Sequence, residues 1–219
     1  RVTDDSGAQH NSVTLYPGGN LRLDYNMDVN DGFLTSRLNE SNLGLETTEN
    51  KWNDTTPLIL DGAAINLISG NTRVNKEIVG AITVKGGAGI TLERSGGGQM
   101  ILETSDISRS GQAMLTIRNT TTTELGSINI QSQKLFTDNI GGSPTLTTLN
   151  NGILPVWIVD QSNLSYLSYD ADLGFTPAAF TQTGTGTAFM AGLTNTDVAL
   201  HNAGTTALSG NVDTYALRI

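Results

Sequence analysis

The feature that most constrains this chain is a recurring three-residue pattern. Two apolar side chains flank a polar or small residue, and a glycine-, asparagine- or aspartate-rich turn follows. Val13-Thr14-Leu15, Leu21-Arg22-Leu23, Ile65-Asn66-Leu67, Ile82-Thr83-Val84 and Ile90-Thr91-Leu92 all read this way. So do Met100-Ile101-Leu102, Leu115-Thr116-Ile117, Ile128-Asn129-Ile130, Val198-Ala199-Leu200 and Leu217-Arg218-Ile219. Alternation with a period of two puts both apolar residues on one face of a strand. The turns between them include Pro17-Gly18-Gly19, Asp61-Gly62, Gly86-Gly87, Gly96-Gly97-Gly98, Gly141-Gly142 and Asn151-Gly152.

Spacing then selects an architecture. Val13 to Leu21 and Ile82 to Ile90 are eight residues each, and Ile90 to Met100 is ten. Three such steps make one coil of about 20–25 residues, the period of a solenoid. One coil cannot bury its apolar face alone, so successive coils must stack. Composition agrees: 30 Thr, 25 Gly, 20 Asn and 16 Ser favour strands and turns over helices. An antiparallel sandwich would show longer strands and more aromatics than two Trp, five Tyr and five Phe. The expectation is an all-β, right-handed parallel β-helix in one domain over 1–219. Residues 1–150 form regular coils, and 151–219 form more aromatic, elaborated coils with a small inserted hairpin. Helix signals are weak: Ser36 to Leu45 is the best candidate, with Pro177 to Phe180 in the C-terminal half. Thr181 to Thr187 reads as an edge strand or flexible segment.

Charge and residue usage exclude several functions. The net charge is −9, from 12 basic and 21 acidic side chains, which repels phosphate backbones and argues against nucleic-acid binding. No apolar run is long enough for a membrane-spanning helix. No signal peptide is visible, and the start at Arg1 leads us to expect that an upstream segment has been removed. Without Cys there are no disulfides, thiolate metal sites or cysteine nucleophiles, which fits an exported bacterial protein.

Candidate chemistry is sparse. Asp28 to Gly32 misses the calcium-loop spacing, since the glycine falls fifth and position twelve is Asn39. It reads as a solvated turn, and Asp4, Asp5, Asp170 and Asp172 read as surface acids. His10 and His201 stand at opposite ends of the sequence, and no nucleophile elbow accompanies them. Glu93 and Glu103 are the best available carboxylate pair for glycoside cleavage, in a region nearly free of aromatic platforms. Gly86-Gly87-Ala88-Gly89 and Gly96-Gly97-Gly98 lack the Lys-Ser/Thr of a phosphate loop and read as turns. Neither catalytic residues nor a metal or cofactor is expected.

Several pieces, in order, resemble large bacterial surface proteins of the Planctomycetes and Verrucomicrobia type, built from autotransporter-associated β-strand repeats. Gly18 to Asp24 looks like the opening strand, Ser36 to Asn39 like the "N-R-L" step, and Leu58 to Ala63 like "L-x-L-x-G-G". Glu77 to Val84 is similar to "E-x-V-G-x-L-T-L", Asn151 to Pro155 to "N-G-I-L", and Asp213 to Ile219 to "x-V-N-S-L-R-I". The "F-x-x-Y" pair of that family reads here as Leu164 or Tyr166 with Tyr169. The resemblance implies an exported, fibrous passenger or stalk at the surface of a Gram-negative-type cell. The expected role is structural or adhesive, with other surface proteins or glycans as partners. A carbohydrate-binding or polysaccharide-cleaving β-helix is the alternative. Uncapped solenoid ends recruit other chains, so head-to-tail self-association is expected through Val13, Leu15, Leu21 and Leu23 at one end and Tyr215, Leu217 and Ile219 at the other.

Overall fold

The computed structural model describes residues 12–25, 47–48, 54–70, 74–94, 98–120, 125–128, 133–202 and 212–218. The protein is all-β, dominated by parallel strand pairs in one large sheet. Numbered along the chain, three parallel ladders account for most of it.

The first ladder joins β1 (Val13–Leu15), β4 (Leu58–Asp61), the start of β7 (Ile82–Glu93) and the middle of β8 (Gln99–Asn119). The second joins β2 (Asn20–Asp24), β5 (Ala64–Ile68), the end of β7, the end of β8 and β11 (Ile158–Asp160). The third joins β3 (Thr47–Thr48), β6 (Val74–Val79), the start of β8 and β9 (Lys134–Ile140). Leu58 pairs with Ile82 24 residues on, Ile82 with Ile107 after 25, and Ile65 with Ile90 after 25. Asn75 meets Met100 at the same interval of 25. The repeat length read from the sequence is therefore the step of the strand register.

Apolar columns run down the ladders. Val13, Leu58, Ile82, Ile107 and Ile140 are register mates, as are Leu21, Ile65, Ile90 and Ile117. Below the first pair of strands these residues are almost wholly buried in one continuous core, while Val13, Leu15, Leu21 and Leu23 are half-buried against it. A side chain inside a column is covered on both sides, and one at its end on only one. Stacking like residues at native density, not strand propensity alone, fixes this register.

Most sequence triplets are strands, but their boundaries differ. Gly86-Gly87 does not end a strand: β7 continues through it, with Gly86 at φ +65° and a register shift between Lys85 and Gly87. Glycine tolerates that backbone, so the ribbon turns a corner from the first ladder to the second without losing its pairing. Ile128 is not in a strand; it lies in a bend and is 87% exposed. Its neighbours Asn129 and Ile130 fall outside the described residues, as do Ser36 to Leu45.

The C-terminal third departs from parallel pairing. β11 pairs antiparallel with β12 (Ser165–Asp170), which pairs antiparallel with β13 (Gly174–Pro177). The three strands form an antiparallel meander in the C-terminal third. β10 (Ser143–Pro144) folds back antiparallel on β9, and a 3-10 turn at Thr145–Thr148 follows. The meander packs on the ladder core through buried Leu167 and Phe175. At Gly174, φ +76°, an added Cβ would lie 2.2 Å from the Leu135 carbonyl oxygen. Only glycine permits β13 to approach β9 that closely. Tyr169 stacks edge-on against Phe175, and its hydroxyl donates to the Thr137 carbonyl at 3.0 Å.

β14 (Gln182–Gly184), β15 (Val198–His201) and β16 (Ala216–Arg218) form a separate parallel sheet. β14 is an edge strand, as Thr181 to Thr187 suggested. The six-residue helix α1 (Gly186–Ala191) links β14 to β15. The helix expectation at Pro177 to Phe180 is corrected: Pro177 ends β13, and residues 178–180 are irregular. A short helix with Gly186 and a Thr N-cap leaves little periodic signal.

Candidate functional site

The residues expected to mediate assembly fall into two groups. Val13 and Leu15 lie on β1, and Leu21 and Leu23 on β2, the first strands of two ladders. Among the described residues, β1 pairs only with β4 and β2 only with β5. Leu217 lies instead on β16 of the second sheet and Tyr215 just before it, packed against smaller apolar clusters around Val198 and Ala199. Ile219 lies outside the described residues.

Glu93 and Glu103 occupy different ladders. Glu93 pairs with Ile68 in the second and accepts a hydrogen bond from Asn66 Nδ2 at 3.4 Å. Glu103 lies in the third and forms an ion pair with Lys76 at 2.7 Å. His201 is buried, and its Nε2 accepts the Gly186 N–H at 3.3 Å beside the Phe189 ring. It therefore braces the start of α1 against β15. His10, Asp4, Asp5 and Asp28 to Gly32 lie outside the described residues. Asp170 caps its own turn, with Oδ1 accepting from the backbone of Asp172 and Leu173. Among the described residues no group of three or more His, Asp or Glu side chains is placed to hold a metal ion.

Two features were missed by sequence reasoning. The first is a buried polar pair: the Tyr25 hydroxyl donates to the Glu77 carboxylate, and both residues are almost fully inaccessible. Alternation inward from Val79 through Glu77 and Asn75 would have flagged it.

The second is an open cleft of about 420 Å³ where the meander meets the second sheet. Val159, Gln161, Leu164 and Tyr166 form one wall, and Leu217 and Arg218 the other. The Tyr166 hydroxyl donates to the Leu217 carbonyl at 3.0 Å and ties the walls together. The β11–β12 turn is held by side-chain hydrogen bonds. Asp160 Oδ1 accepts from the backbone of Ser162 and Asn163, and its Oδ2 accepts from Asn163 Nδ2 at 2.7 Å. Ser162 Oγ extends the end of β8, bonding both the N–H and the carbonyl of Asn119 at 2.8 Å. The carboxylate of Asp160 is thus occupied by its own turn. The Arg218 guanidinium forms no hydrogen bond or ion pair among the described residues.

No family model, curated protein or solved structure matches the chain. No helix among the described residues is long and apolar enough to cross a membrane.

Proposed function

We propose that the chain is a right-handed parallel β-helix that serves as an exported, rigid structural or adhesive module. It belongs in a stalk, fibre or surface layer outside a Gram-negative-type cell, as in the autotransporter-associated repeat proteins it resembles. The observation that carries this reading is the register of the three ladders. Chain steps of 24 and 25 residues bring Leu58, Ile82 and Ile107 onto one apolar column. Right-handed connection is the rule for parallel strands joined by a crossover. Stacked columns and continuous backbone ladders resist extension and bending, which suits a mechanical role better than a mobile catalytic one.

Self-association is the second part of the proposal. The edges of β1 and β2, with half-buried Val13, Leu15, Leu21 and Leu23, act as the contact surface. The opposite surface is the second sheet, around Tyr215 and Leu217. Unlike surfaces that meet without closing build a fibre. Light scattering and electron microscopy across a concentration series test this. Mass should grow with concentration and give particles repeating at one subunit length. Leu15→Lys with Leu21→Lys should stop growth while leaving the circular dichroism unchanged. Single rods at every concentration contradict self-association.

A further inference from the structure

We propose that the cleft between the β11–β12 turn and β16 binds a small amphipathic monocarboxylate, with its carboxylate on Arg218 and its apolar body against Leu164, Tyr166 and Leu217. Leu217 is shared with the surface proposed for assembly, but the binding argument does not rest on self-association.

Three observations carry it. First, the cleft volume of about 420 Å³ falls within the range of small-ligand sites. Second, Arg218 is half-buried in its wall and its side chain has no partner among the described residues, in a chain with nearly twice as many acids as bases. A guanidinium there favours a carboxylate, which it can bind through two parallel hydrogen bonds. Asp160, also in the wall, does not compete, because its oxygens are engaged by three N–H donors of its own turn.

Third, Leu164 is out of place unless something packs on it. Its φ is +50°, a conformation costly for a branched side chain, and it is 76% exposed at the rim of the cleft. A glycine or asparagine would make this turn with less strain. What leucine adds is an apolar surface facing the ligand. Val159, Leu217 and the Tyr166 ring continue that surface, and the Tyr166 hydroxyl is already committed to Leu217. An apolar body is therefore preferred to a polyhydroxylated one.

The test is titration of the protein by amide NMR with phenylacetate, with its neutral analogue phenylacetamide, and with glucuronate. Phenylacetate should give saturable shifts at Gln161, Leu164, Tyr166 and Leu217. Phenylacetamide, and phenylacetate on Arg218→Gln, should bind about tenfold more weakly or worse, the scale of one charge-assisted contact. Leu164→Gly guards against misfolding: it relieves the backbone, so its melting temperature should not fall, yet phenylacetate affinity should drop severalfold. The proposal is overturned if phenylacetate produces no saturable shift, if the amide binds equally well, if glucuronate binds more tightly, or if Leu164→Gly keeps full affinity.

Discussion

Tyr25 and Glu77 show how much one polar contact matters inside an apolar stack. The hydroxyl satisfies a carboxylate that has almost no access to water. Tyr25→Phe removes that donor with little change of shape, so it should destabilise the fold by about 1–3 kcal/mol, read from urea unfolding. Two other groups give a pH signature. Burial raises the Tyr169 hydroxyl above the ordinary phenol range; a backbone hydrogen bond at Thr137 opposes this, and the charges of Asp138, Glu103 and Asp170 add to it. The folded state thus favours the neutral phenol. Its stabilising effect is complete below the unfolded phenol pKa of about 10 and is lost as pH rises through the folded value. Alkaline unfolding curves should show this loss in the wild type and not in Tyr169→Phe. Asp197 shifts the other way: the Thr194 backbone N–H, then the Thr194 and Thr181 hydroxyls, hold its carboxyl below the usual range. Its stabilising effect is present above the unfolded aspartate pKa and disappears as pH falls through the lower folded value. A carboxyl-carbon NMR titration should place its midpoint below that of a free aspartate. Reading Asp170 as a surface acid was sound, since its carboxylate makes only a local turn. Glu77 was legible only in part, because alternation places it on the inward face with Val79 but does not show the depth to which that face is buried.

Along a strand, position within the column decides what a side chain is worth. Leu60 and Leu15 are register mates, yet Leu60 is fully buried and Leu15 lies at the half-covered end. Leu60→Ala should cost about 2–5 kcal/mol, and Leu15→Ala about half that or less, by chemical denaturation. Gly174→Ala should be worse than its size suggests: the new methyl meets the Leu135 carbonyl, and the strained φ adds to the clash. The meander should then lose amide-exchange protection along β12 and β13 before the ladders do. The triplets were legible because period-two alternation survives in short pieces. Strand lengths were not, because Gly86 reads as a stop in sequence and acts as a corner in space. Ile128 carried the same local pattern and ended in an exposed bend, since a triplet becomes a strand only where a neighbour offers it a ladder. The helix α1 escaped for the opposite reason, being too short to show a period.

For the whole molecule, the repeat length was legible and the way the ladders end was not. Nothing local announces that β10 and β12 close the third and second ladders with antiparallel pairs. Nor does sequence reveal that Thr116 and Leu217 share a cleft: 101 positions separate them, and Tyr166 joins the two walls. Long-range register is what the account depends on, and the absence of cysteine makes it directly measurable. Register mates in a sheet lie within the Cα separation that a disulfide spans, about 4.4–6.8 Å. Three double variants probe the three ladders: Thr83→Cys with Ser108→Cys, Asn66→Cys with Thr91→Cys, and Ile78→Cys with Glu103→Cys. Under mild oxidation all three should close intramolecular disulfides in the folded protein, while Thr83→Cys with Ser110→Cys, two residues out of register, should not. Equal cross-linking of the off-register pair, or failure in any one ladder with native circular dichroism retained, would contradict the stacked architecture on which the proposed function rests.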